Sequence, residues 1–81
     1  MVPQGGTRMD SAIAETAIKA YLTEMRSRLE KASSIAKAAE TCALSGNVEG
    51  GVEIILDIEQ ITYEVSTLLN AASLIHRLGK N

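Results

Sequence analysis

Few side chains in this chain could do chemistry. His76 is its one histidine and Cys42 its one cysteine, so no intrachain disulfide can form and no Cys/His set has the spacing of a zinc site. Glu49, Glu53, Asp57, Glu59 and Glu64 form an acidic series. A carboxylate metal site in a helical bundle takes a Glu from each of two helices and a Glu-x-x-His from the others. Here the residue three before His76 is Ser73, and Glu49, Glu53 and Asp57 step by four along a face away from the apolar residues, as a solvated surface does. A reactive thiolate needs a nearby cation or a helix N-terminus, whereas Cys42 approaches a helix C-terminus and reads as a packing residue. Tyr21 and Tyr63 read as amphipathic rim residues, too few for a base-stacking platform. The expected catalytic, cofactor-binding and metal-ligating sets are therefore all empty.

The segment Leu74-Ile75-His76-Arg77-Leu78 resembles the phosphate-accepting helices of sensor histidine kinases, in which an exposed imidazole nitrogen is the nucleophile. That resemblance implies phosphotransfer at His76. Arg77, however, stands where such helices carry an acidic neighbour, and a histidine interacting with the end of the helix dipole is the simpler expectation.

The elements that would position these groups are helices. The 81 residues are 46% hydrophobic but only 2% aromatic, so the core must come from Ala, Ile, Leu, Val and Met. A net charge of −2 and a pI near 5.3 argue against nucleic acid, whose non-specific affinity rests on clustered Lys and Arg. No apolar run reaches the roughly 20 residues of a membrane span. The first residues lack the apolar stretch of a signal peptide, and a cytoplasmic protein is expected.

Residues 1–8, with Pro3, Gly5 and Gly6, read as a disordered leader to a single helical domain over 9–79. The first helix is expected over about 9–44, with Thr7, Asp10 or Ser11 as its cap. Its apolar seam reads Ile18, Leu22, Met25, Leu29, Ala32, Ala36, Ala39 and Ala43, in alternating steps of four and three, and Tyr21, Ile35 and Cys42 widen it. Ser45-Gly46-Asn47 marks a turn extending to about residue 50, because Gly accepts a left-handed conformation and Asn caps the next helix. A second helix follows over about 51–78, with the seam Ile54, Ile58, Ile61, Val65, Leu68, Ala72 and Ile75. Gly79 is expected as its C-terminal stop.

A connection this short makes the helices antiparallel neighbours, so the fold class is all-α, an antiparallel two-helix hairpin. Residues whose numbers sum to about 94 should then meet: Ala36 with Ile58, Ala39 with Ile55, Leu29 with Val65 and Leu22 with Ala72. Lys31 and Lys37 fall on the same stretch as Asp57, Glu59 and Glu64. Two stripes this wide leave apolar surface that one neighbour cannot cover, which predicts a homodimer closing into a four-helix bundle. The predicted interface lies at the charge-poor open end: Ile13, Ala17, Ile18, Tyr21 and Leu22 with Val65, Leu68, Leu69, Ala72 and Ile75. The expected function is a non-enzymatic interaction or scaffolding protein. An alternative is a chaperone or adaptor for one protein client, since length and architecture resemble those of the small hairpin co-chaperones of bacterial secretion.

Overall fold

A computed structural model describes residues 11–79, and all regular structure among them is helical. The helices are α1 (Ser11–Leu44), α2 (Val48–Ile55) and α3 (Ile58–Gly79). The leader expected over 1–8, and the caps at Thr7 or Asp10, lie outside the described residues. Ser11 is already helical.

No Gly or Pro interrupts α1, so it runs for 34 residues, about 50 Å at 1.5 Å per residue. Gly46 stops it with a φ of +108°, a region closed to most side chains. The Gly46 amide donates to the Ala43 carbonyl at 3.0 Å, and the Asn47 amide to the Cys42 carbonyl at 3.1 Å. These two bonds satisfy carbonyls left orphaned at a helix end, in the paired pattern that a left-handed glycine makes possible. Asn47 then caps the next helix, its Oδ1 accepting from the Gly50 amide at 2.8 Å.

The second helix starts at Val48, about three residues before its expected start, and takes Gly50 and Gly51 into its first turns. The reason is steric. A Cβ on Gly51 would lie 2.8 Å from the carbonyl oxygen of Ala39 and 3.1 Å from the Ala43 Cβ, so the helices approach here more closely than any side chain allows. The helix that was expected to run unbroken is also bent. Asp57 donates to Ile54 and Glu59 to Leu56, each at 3.1 Å and three residues back, so the ladder tightens between α2 and α3. Neither Gly nor Pro marks this bend in the sequence. Gly79, the last described residue, is assigned to α3, one residue past the expected end at 78, and does not take a positive φ.

α1 lies along both α2 and α3. Three contacts fix the register: Gly51 beside Ala39 and Ala43 near the connection, the Arg28–Glu64 ion pair midway, and Gly79 beside Ala14 at the far end. Their residue numbers sum to between 90 and 94, close to the sum expected from the sequence.

The packed stripe on α1 differs from the expected one. Ala14 and Ala39 are buried, and Ile18, Tyr21, Met25, Arg28, Ala32, Ile35 and Cys42 are half-buried in the same row, in steps of four and three. Leu22 and Leu29 are 54% and 53% exposed, so the expected pairs of Leu22 with Ala72 and Leu29 with Val65 are not seated. Tyr21, Ile35 and Cys42, expected only to widen the seam, are part of it beside the expected Ile18, Met25, Ala32 and Ala39. On the second helix Ile54, Ile58, Ile61, Val65, Leu68, Ala72 and Ile75 are buried or half-buried as a row, whereas Ile55 is exposed and cannot be the partner of Ala39.

Candidate interaction surface

The two helices form a slab whose sides differ in chemistry. One side is identified by Arg28, whose Nε donates to Glu64 Oε1 at 3.0 Å and whose Nη1 pairs with Glu24. The hydrogen bonds from Arg28 to Glu24 and Glu64 raise its pKa. Gln60 Nε2 donates to Glu64 Oε2 at 3.0 Å. That bond, then the one from Arg28, holds the Glu64 carboxyl below its ordinary value, with a smaller contribution from the charge of Lys31. Seven-residue steps extend this row to Lys31 on α1 and to Asp57 near the bend. Midway along the helices this side is held by ion pairs, and it also exposes Tyr63 and, towards the open end, Leu74 and Leu78.

The other side is identified by a shallow groove of about 230 Å³ at the open end, lined by Ala14, Ile18, Ile75 and Gly79 with Glu15 and His76 at its edges. Steps of seven from Glu15 give Leu22, Leu29, Ala36 and Ala43; steps of seven back from His76 give Leu69, Thr62, Ile55 and Val48. Beyond Glu15 and His76 this row carries no charge. Leu22, Leu29, Val48, Ile55 and Leu69 are all exposed. A soluble surface rarely leaves so continuous an apolar row uncovered.

At the connection end Leu44, Val52 and Leu56 are also exposed, Leu44 by 80%, on rows other than that of Leu22 and Leu29. Glu40, Glu49, Glu53, Asp57 and Glu59 are exposed on the same stretch of the chain.

The residues expected at an interface divide between these surroundings. Ala72 is buried inside the chain, and Ile18, Tyr21, Val65, Leu68 and Ile75 are half-buried in the seam between the helices. Ile18 and Ile75 meet in the open-end groove. Leu22 and Leu69 stand on the apolar side, Ala17 is half-buried, and Ile13 is 62% exposed. Leu29, Ile55 and Val48 belong with Leu22 and Leu69; Leu29 and Ile55 were expected inside the hairpin, facing Val65 and Ala39, and Val48 was not singled out. Their phase relative to the seam depends on which of two adjacent stripes α1 turns inward.

Comparisons with protein-family models, with characterised proteins and with solved structures give no match. Among the described residues, no helix is long and apolar enough to cross a membrane, and no group of three His, Cys, Asp or Glu side chains could hold a metal ion. Cys42 is half-buried with its Sγ 3.5 Å from the Asn47 carbonyl, within the turn. His76 is exposed beside Glu15.

Proposed function

We propose that the chain is an antiparallel helical hairpin that pairs with a second copy through its apolar side, closing a four-helix bundle whose role is non-enzymatic scaffolding between proteins. The observation that carries this reading is the contrast between the two sides of the slab. Midway along the helices one is occupied by Glu24, Arg28, Lys31 and Glu64, already paired or solvated, while the other presents Leu22, Leu29, Ile55 and Leu69 to water.

The size of the apolar side fits a self-association surface. From Leu22 to Ala43 it is about 30 Å long, and two helices make it about 20 Å wide. That is on the order of 600 Å² per copy and about 1,200 Å² for the pair, within the range of specific interfaces. Burying it supplies the hydrophobic stabilisation that a chain of this length lacks alone.

Sedimentation equilibrium tests the proposal. The parent chain should fit a dimer, and Leu22→Glu combined with Leu69→Glu should sediment as a monomer. A parent that is monomeric alone but forms a stoichiometric complex with one co-expressed protein would replace this reading with that of a client-specific chaperone.

A further inference from the structure

The fold separates charge along its length. From residue 38 to residue 75 the chain has no Lys, Arg or His but has Glu40, Glu49, Glu53, Asp57, Glu59 and Glu64. The connection end is thus predominantly acidic, with Lys37 as its one cation among the described residues. The other basic residues lie away from it: Lys19, Arg26, Arg28 and Lys31 on α1, and His76 and Arg77 at the end of α3. The row bordering the apolar side, three residues before each of its α1 members, runs Lys19, Arg26, Ser33, Glu40, from cationic to anionic. All four of these residues are exposed.

We infer that the second copy lies antiparallel on the apolar side, the connection end of each hairpin over the open half of the other. This rests on the dimer proposed above and adds its orientation. A two-fold axis across the helices sets α1 on α1 and α3 on α3 of the other copy. Aligning the apolar rows end to end brings Leu22 opposite Ala43, Leu29 opposite Ala36 and Leu69 opposite Ile55, so that on α1 a large side chain meets a small one. The same register sets Arg26 opposite Glu40 twice, once for each symmetry-related pair. An axis along the helices instead stacks both acidic ends together, ten carboxylates of Glu40, Glu49, Glu53, Asp57 and Glu59 from the two copies against only the two Lys37 side chains. Like charges brought to one end oppose that arrangement, while opposite charges favour the antiparallel one.

Spin-label distances test the orientation in the full chain. With Cys42→Ala as background, nitroxides are placed singly at Thr16→Cys and Thr23→Cys, both exposed sites on α1. At 1.5 Å per residue the antiparallel dimer separates like labels by about 50 Å at 16 and about 35 Å at 23, whereas the alternative gives about 25 Å at both. Light scattering on the same samples reports the mass. Dimeric mass with two unequal long distances supports the proposal. Dimeric mass with two equal short distances overturns the orientation and leaves the dimer standing. Monomeric mass with no inter-label dipolar signal overturns both.

Discussion

Gly51 and Ala39 meet backbone to backbone: a Cβ on Gly51 would stand 2.8 Å from the Ala39 carbonyl oxygen. Glycine in a helix costs about 1 kcal/mol relative to alanine, so its presence in α2 needs a compensating gain. That gain is the close approach of α2 to α1 where the chain has just reversed.

Gly51→Ala should therefore destabilise the protein despite its better helix propensity. The neighbouring atom is a backbone oxygen, which cannot rotate away, and the expected loss is about 1–3 kcal/mol. Urea denaturation measures it; a variant as stable as the parent, or more so, would show that the helices part without cost.

Gly46→Ala should lose about 1 kcal/mol for a different reason. No atom lies within 4 Å of the added methyl group, so the loss comes from the +108° φ alone. Gly46→Asn, which tolerates this conformation better, should recover part of it in the same denaturation series.

Glu64 should make a pH-dependent contribution. Its carboxyl is held below the ordinary 4.5 by hydrogen bonds from Gln60 and then Arg28. A lowered folded-state pKa contributes stability that is present above the unfolded value and lost as pH falls through the folded one. Glu64→Gln should therefore lower the urea midpoint at pH 7 and leave it near that of the parent at pH 3. An equal difference at both pH values would show that the carboxylate charge is not what Arg28 holds.

Substitutions in the seam and on the apolar side should separate folding from association. Leu68→Glu puts an unpaired charge between α1 and α3, which costs several kcal/mol, and circular dichroism should show lost helix. Leu22→Glu adds charge to an exposed position and should keep the helix content at high concentration while weakening self-association. Glu53→Ala should leave both unchanged. A Leu22→Glu protein that unfolds like Leu68→Glu would place Leu22 back in the seam.

The sequence carries much of this arrangement because helical periodicity and turn chemistry are local. Gly46 and Asn47 announce their own conformations, and the row Ile54, Ile58, Ile61, Val65, Leu68, Ala72, Ile75 packs as spaced. On α1 the periodicity is ambiguous. Two heptad stripes lie side by side, one with Leu22 and Leu29, the other with Tyr21 and Arg28, and hydrophobicity alone favours the leucines. The structure turns the second inward, where Arg28 reaches Glu64 from within the seam and the small Ala14, Ala32 and Ala39 admit close helix approach. That choice is long-range, and it moves the exposed leucines to the side where a partner would sit. The bend after Leu56 was equally hidden, with no Gly or Pro to signal it.

The central claim is that the leucine side is covered by a second copy, and a solution mass tests it most directly. Light scattering on the purified chain should give twice the 8.6 kDa of one copy across a wide concentration range. A stable, fully helical species of 8.6 kDa at high concentration would contradict it.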